Sequence, residues 1–315
     1  MKKSSFYMLF TLAMLTAMSV CTAATVLYPV VVGGRWGFVS KSGEIVINPQ
    51  FDKADAFAEG LAPVRMGRWG YVDASGKVVI NPQFDRADVF SEGLAAVKVV
   101  GGGSNPYDPR PYPYDPRPFS PFGGGGGGGR IGYINPQGNF IINPQFDDAG
   151  AFSEGLAPVK MGHWGYVDTT GKVVINPQFD KAQPFSEGLA GIRTGGHWGF
   201  CDKTGKIIIN PQFDDAGSFV KGLAPAKQGK HWGYIDPTGK FVVNPQYDDA
   251  AAFSEGLAPV RQSGHWGYVD PSGKIVISPQ FDEAAPFTDG LAHVKAGGQF
   301  GYIDPTGKYI WNPSK

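Results

Sequence analysis

Cysteine is almost missing from this chain, with two in 315 residues, Cys21 and Cys201. That excludes a disulfide scaffold and a multi-cysteine zinc site. An excess of either charge is missing too: 28 basic residues stand against 28 acidic ones. The basic stripe of a nucleic-acid binder is therefore absent, and no nucleic-acid partner is expected. Beyond the first two dozen residues no apolar run approaches the roughly twenty positions of a membrane-crossing helix. Nothing shows helical periodicity over ten residues. What the chain has in quantity is glycine (46) and proline (26), just short of the share at which aperiodic chains are disordered. Here both fall at a fixed period.

The N-terminus stands apart. Lys2 and Lys3 precede a mostly apolar run, Phe6 to Val20, followed by Cys21-Thr22-Ala23-Ala24. This reads as a secretory signal peptide over residues 1–23, cleaved near Ala23 or Ala24. The run is short for an uncleaved anchor, and bulky Val20 fits poorly beside an acylated Cys21. The chain is thus expected to be periplasmic or secreted, with no transmembrane segment after cleavage. Its mature part has 26 basic and 28 acidic groups, a net charge of −2, and one thiol, Cys201.

One unit then recurs eight times. Trp-Gly occurs at Trp36, Trp69, Trp164, Trp198, Trp232 and Trp266, with Ile131-Gly132 and Phe300-Gly301 in the same register. The intervals are 33, 62, 33, 34, 34, 34 and 34 residues. In the unit Leu156 to Gly188, three aromatic or β-branched runs are bounded by Gly, Pro, Asn and Asp, the signature of strands. They are Leu156–Lys160, Trp164–Asp168 and Lys172–Ile175. Asp168-Thr169-Thr170-Gly171 and its copies fit a type I turn closing into a left-handed glycine. The connector, Gln178 to Gly188, has room for one helical turn at most. The third strand is apolar at consecutive positions, as in Ile207-Ile208-Ile209, which predicts cover on both faces. A meander of about 34 residues cannot bury that surface alone, whereas stacked neighbours can.

The expected fold is all-β: eight three-stranded meander units. An open β-solenoid or superhelix is favoured over a closed propeller-like ring, because a propeller blade usually has four strands. The recurring aromatics (Phe51, Phe84, Phe146, Phe179, Phe213, Tyr247 and Phe281, then Phe57, Phe90, Phe152, Phe185, Phe219, Phe253 and Phe287) read as packing. The glycine after each Trp reads as a place where another backbone or ring comes close. The atypical terminal units, with Phe300 for Trp and an end at Trp311-Asn312-Pro313, read as caps.

The domain reading is residues 24–98 for the first two repeats and the opening strand of the third, 99–130 for an insertion, and 131–315 for the rest. The insertion falls at a hairpin tip. It holds Pro106-Tyr107-Asp108-Pro109-Arg110-Pro111-Tyr112, the near copy Pro113-Tyr114-Asp115-Pro116-Arg117-Pro118-Phe119, and seven glycines from Gly123 to Gly129. That composition reads as a disordered tether. Its Tyr107, Tyr112 and Tyr114 are candidate contacts to a partner. With no strand before it and no helix after it, the glycine run is not a nucleotide loop.

Four histidines, His163, His197, His231 and His265, immediately precede the Trp, where other units carry Arg35, Arg68, Arg130 and Gln299. Stacked units would align them in a row, so Arg68 and the four histidines are candidate partner-binding residues. Separate units would hold imidazoles too far apart for one metal ion, which needs ligands at about 2 Å. Two acidic series also recur. Asp52, Asp85, Asp147, Asp180, Asp214, Asp248 and Asp282 read as caps or turn-formers. Glu59, Glu92, Glu154, Glu187, Glu255 and Asp289 are interrupted by Lys221, which argues against an obligatory ligand. Cys201 sits where other units have Val or Ile and reads as a small core residue. No nucleophile elbow or zinc helix is present, so no catalytic residue, metal or cofactor is expected.

The run Trp-Gly-Tyr-Val-Asp-x-x-Gly-Lys-Val-Val-Ile-Asn-Pro-Gln-Phe-Asp resembles that of WG (KWG) repeat proteins, over residues 25–98 and 131–315. The departures are Ile131 and Phe300 for Trp, Ser40 and Asn135 for the turn Asp, and the insertion. The resemblance implies a bacterial β-repeat protein without established catalytic activity, and it supplies no site residues. A looser likeness to the aromatic-Gly hairpins of cell-wall-binding modules implies glycan contact. The functional expectation is an exported, non-enzymatic binding or scaffolding protein for a protein or cell-envelope glycan. The alternative is a hydrolase-type enzyme with its site in the groove or channel of a closed ring.

Overall fold

The computed structural model describes residues 26–40, 43–100 and 129–314, and every regular element among them is a strand. Residues 1–23, with Cys21, lie outside them, as do Tyr107, Tyr112 and Tyr114. In the fourth unit the strands are Asp148–Ala149, Leu156–Met161, His163–Asp168 and Val173–Phe179, paired antiparallel in that order. They are called a, b, c and d below. Seven sheets have this four-stranded form. The first has three strands, β1 (Leu27–Val32), β2 (Arg35–Ser40) and β3 (Ile45–Phe51), equivalent to b, c and d.

The fourth strand, absent from the expected meander, comes from the connector. Asp148 pairs with Lys160 and Ala149 with Val159. A two-residue turn, Glu154-Gly155, then closes Ser153 onto Leu156. Both turn residues have positive φ, 55° and 84°, the geometry of a type I′ hairpin. No helical turn forms there. Around the insertion the blade reaches further than expected, because Val100 pairs with Gly129 and Val99 with Arg130.

The eight sheets are the blades of a closed propeller ring. The ring, named second from the sequence, forms in place of the favoured open solenoid; the two-residue strand a completes the usual four-stranded blade. Closure brings the first and last blades together, where the Tyr28 hydroxyl donates to the Asp289 carboxylate at 3.2 Å. A ring has no solenoid ends to cap.

The core lies between blades. Tyr166, Ile175 and Phe179 of blade 4 cluster with Phe185, Ala190, Ile192 and Cys201 of blade 5. Equivalent clusters fill the seams from blades 1 and 2 through to blades 7 and 8. The Tyr166 and Phe185 rings are 4.8 Å apart, and the Tyr166 hydroxyl donates to the Gln183 carbonyl at 2.8 Å. Each blade is thus half of two cores, which is why one unit cannot stand alone.

Strand d departs from the expectation of two covered faces. In Val173-Val174-Ile175 only Ile175 is buried, and Val173 and Val174 are 38% and 44% exposed. Strand d is a sheet edge, so only the residue turned to the next blade meets a core. The Trp-Gly glycine has a local cause. Between the pairs Trp164–Phe179 and Tyr166–Ile175 strand d carries two more residues than strand c, and it bulges over Gly165. A Cβ on Gly165 would lie 2.4 Å from the Ile175 carbonyl oxygen and 2.7 Å from the Pro177 nitrogen.

Candidate functional site

The strands of each blade end on two faces with different chemistry. One face carries the a–b turns, where the second acidic series sits. Glu59, Glu92, Glu154, Glu187, Lys221, Glu255 and Asp289 all have φ between 51° and 56°, a conformation costing an L-residue about 1–3 kcal/mol. Their carboxylates clasp the turn of the following blade. Glu92 accepts the Glu154 and Gly155 amides at 2.6 and 2.9 Å, Glu59 the Gly93 amide at 2.9 Å, and Glu255 the Gly290 amide at 2.9 Å. Glu187 likewise accepts the Lys221 and Gly222 amides. These residues are links in a chain around the ring as well as turn-formers. Lys221 has the backbone geometry without the carboxylate, so the link from blade 6 to blade 7 is missing. Lys221→Glu is expected to restore it, adding about 0.5–1.5 kcal/mol. Differential scanning calorimetry should show a melting temperature raised by about 1–5 °C; an unchanged or lower value would mean that the clasp does not stabilise the seam.

The c–d turns share this face. Each turn Asp caps its own loop: the Asp168 carboxylate accepts the Thr170 hydroxyl at 2.6 Å and the Thr170 and Lys172 amides at 2.9 and 3.1 Å. These bonds, the Thr170 hydroxyl first, hold Asp168 below the ordinary carboxylate range, and Asp73, Asp202, Asp236, Asp270 and Asp304 behave alike.

The opposite face carries the b–c hairpin tips and the crossings from strand d to the next strand a. Here the first acidic series joins successive tips. Asp52 accepts the Gly67 amide of blade 2 at 2.8 Å and pairs with Arg35 of blade 1. Asp147 accepts the Gly162 amide at 3.0 Å and pairs with Arg130. The Gly67 amide, followed by Arg35 and Arg65, holds Asp52 below its usual range. These aspartates clasp tips rather than cap helices.

The candidate residues lie on this tip face. His163, His197, His231 and His265 are exposed at the first position of their c strands, and Arg68 reaches the Gln83 carbonyl at 3.1 Å. Next to each is the indole, half-buried at Trp36, Trp69, Trp164, Trp232 and Trp266 and buried at Trp198. Sequence reasoning missed a third member. Directly across from the aromatic ring, strand b places Arg65, Lys160, Arg193, Lys227, Arg261 or Lys295. The Lys295 ammonium is 5.0 Å from the Phe300 ring centroid and the Lys227 ammonium 6.0 Å from that of Trp232, within cation–π range. The signal was a cation four or five residues ahead of the aromatic, recognisable once the hairpin register is known.

The tip face therefore repeats one cluster: a polar or cationic residue, the edge of an aromatic ring in every blade but the third, which has Ile131, and, in blades 2 and 4–8, a second cation across from that ring. It is suited to many weak contacts with an extended partner. The repeat tyrosines offer no stacking surface, since Tyr71, Tyr133, Tyr166, Tyr234 and Tyr268 are fully buried. Among the described residues no three of His, Cys, Asp and Glu come together as a metal would need, and no helix is long and apolar enough to cross a membrane. Burial pushes the Cys201 thiol up to about 12, which suits a core residue.

The family model for the WG containing repeat matches residues 36–68, 69–102, 131–162, 164–196, 198–230, 232–264 and 266–299. Each match begins at strand c of one blade and, where its end lies among the described residues, stops at the b–c tip of the next, so the sequence repeat straddles a seam. No curated protein matches the chain. Among solved structures it is similar to one described as the crystal structure of the eukaryotic initiation factor. That likeness has 11% identity and a TM-score of 0.58, over 92% of this chain and 85% of the other. It is also similar to dihydro-heme d1 dehydrogenase NirN in complex with DHE, at 10% identity and a TM-score of 0.57, over 92% and 74% of the two chains. At such identities the likeness concerns the fold alone.

Proposed function

Because this chain belongs to the WG containing repeat family, we propose that it is an exported, non-enzymatic binding or scaffolding ring for a protein or glycan of the cell envelope. The observation that carries this reading is the repetition of one exposed cluster on the tip face, with a half-buried indole in five blades and a cation across from the ring in six. A catalytic centre breaks a repeat's symmetry, whereas a docking face uses it. Export rests on the N-terminal segment Lys2 to Ala24.

The test is tryptophan fluorescence during titration with peptidoglycan fragments, together with retention of proteins and polymers from envelope fractions. A spectral shift is expected. It should weaken when Arg68, His163, His197, His231 and His265 are replaced together by alanine. Unchanged fluorescence and no retained partner would overturn the reading.

Ring closure favours one rival, an enzyme with its site in the central channel. Turnover in a broad hydrolase panel, lost on altering a single blade, would establish that rival.

A further inference from the structure

The charge of the chain balances overall, but it does not balance around the ring. Two residue pairs join strand a to strand b, and the pair nearer the tip is charged. In blades 4, 6, 7 and 8 its members have opposite sign. Asp148, Asp215, Asp249 and Glu283 each face a Lys or Arg of strand b. In blade 8 the two close as an ion pair, Lys295 with Glu283 at 2.8 Å. In blades 2, 3 and 5 both members are cations: Lys53 with Arg65, Arg86 with Lys98 and Lys181 with Arg193. Residues directly opposite in an antiparallel pair share a face of the sheet, with Cβ atoms about 5 Å apart, and like charges there are destabilising. Three blades thus keep a repulsion that the same fold avoids in four others.

These three blades lie in one arc of the tip face. Arg86 of blade 3 reaches Asp148 of blade 4 at 3.1 Å, so strand a side chains of neighbouring blades are within reach of one another. That contact also offsets the single acid at this position between blades 2 and 5. Lys53, Arg65 and Lys181 are exposed and Arg193 is half-buried. Among the described residues no carboxylate forms an ion pair with Lys53, Lys181 or Arg193. The Arg65 and Arg193 Nε atoms donate to the tip carbonyls of Gly67 and Gly196 at 3.0 and 3.1 Å. Each guanidinium is thereby held in place, and its outer nitrogens keep the fork geometry that fits a carboxylate. Arg65 lies opposite the half-buried Trp69, and Lys160 opposite the half-buried Trp164. Each indole sets an apolar ledge beside a cation.

We propose that the arc of the tip face from blade 2 to blade 5 binds a linear acidic polysaccharide with a carboxylate on each sugar. The proposal rests on the binding ring described above and names its partner. The carboxylates meet the rows of Lys53, Arg65, Lys181 and Arg193, and the C–H side of a sugar ring lies on the indole ledges. A polymer with a charge on every unit engages successive blades at once, so weak contacts add. It also relieves the repulsion within the like-charged pairs. Blades 6, 7 and 8 each carry the strand a acid, so the polymer keeps to one arc.

The test is isothermal titration calorimetry of the full chain with polygalacturonate, with uncharged pullulan and polyglutamate as comparisons. Saturable binding of polygalacturonate is expected, at least about tenfold tighter than that of polyglutamate because of the indole ledges, and no binding of pullulan. Salt at about 1 M, where the screening length is about 3 Å, should abolish it. The double variant Lys53→Asp, Lys181→Asp gives blades 2 and 5 the opposite-charge pairs already present in four others. It should melt no lower than the parent and yet bind polygalacturonate at least about tenfold more weakly. Asp215→Lys, which makes blade 6 doubly cationic, should strengthen binding. A double variant that melts lower or binds as the parent does, no gain from Asp215→Lys, or polyglutamate bound as tightly as polygalacturonate would each overturn the proposal. Binding of peptidoglycan fragments without polygalacturonate would overturn it and leave the binding ring standing; binding of neither would remove both.

Discussion

Gly165→Ala is expected to cost about 3 kcal/mol or more, although it adds a single methyl group to an eight-bladed ring. The methyl has nowhere to go. Its contacts at 2.4, 2.7 and 2.9 Å are all backbone atoms of strand d, the Ile175 oxygen, the Pro177 nitrogen and the Asn176 carbonyl carbon. No side chain can rotate away, so the bulge itself must move. Relief by that route costs more than ordinary core overpacking, which runs at about 1–3 kcal/mol. Moving strand d also shifts Ile175 and Phe179, which belong to the core shared with blade 5. Thermal unfolding followed by circular dichroism should show a melting temperature lower by about 6 °C or more. Gly162→Ala is the companion variant. A Cβ there meets nothing within 4 Å, but φ is 77°, so its cost is that of backbone strain alone, about 1–2 kcal/mol. If the two variants melt together, steric closure over the Trp-Gly glycine is not what the motif provides.

Raising the pH above 10 is expected to unfold the ring steeply. Tyr71, Tyr133, Tyr166, Tyr234 and Tyr268 are fully buried at the seams. Each donates its hydroxyl proton to a carbonyl of the next blade, at 2.8, 2.7, 2.8, 2.9 and 2.8 Å. Burial raises all five well above the ordinary value of 10.0. A group raised on folding contributes stability that is complete below its unfolded value and is lost as the pH climbs from there towards the folded one. The unfolded chain releases these protons from pH 10 upward while the folded chain keeps them. Each tyrosine then removes about 1.4 kcal/mol per pH unit, and the five together about 7 kcal/mol per unit. Tyrosinate absorbance and far-UV circular dichroism should change together in one transition. Tyrosine ionisation well before loss of the β signal would show that the hydroxyls are reachable in the folded ring. At low pH the sign reverses. The turn aspartates are lowered on folding, so their contribution is present above their unfolded values and fades as the pH falls through the folded ones.

The strands and their turns were legible because both obey local rules. Trp164 to Asp168 is aromatic and β-branched, Asp168 to Gly171 meets the demands of a type I turn, and Gly171 takes φ 84°. The repeat itself is arithmetic on Trp-Gly spacings. The place of Arg68 and the four histidines at hairpin tips was legible as well, since the position before the Trp, or before Ile131 and Phe300 in its place, is polar in every unit. What escaped notice depended on partners far along the chain. Asp148-Ala149 is too short to announce a strand, and it becomes one only because Lys160 and Val159 lie beside it. Glu154 looks like a turn residue until the Gly188 amide of the next blade is placed against its carboxylate at 3.1 Å. Lys160 looks like a solvated charge until the register sets it opposite Trp164.

By itself the amino-acid order determined a β-repeat chain, the unit, its turns and which residues recur, because each of these is settled within about 34 residues. Tertiary structure alone decided that the units close into a ring, that their cores lie at the seams, and that the acidic series serve as clasps. Closure sums a small rotation over eight interfaces, and the rotation depends on how Tyr, Ile and Phe of one blade meet Phe, Ala and Val of the next. That packing angle has no signature in a single unit. The same reason hides the contact that joins the first and last blades, where Tyr28 and Asp289 meet across 261 positions that no local pattern connects.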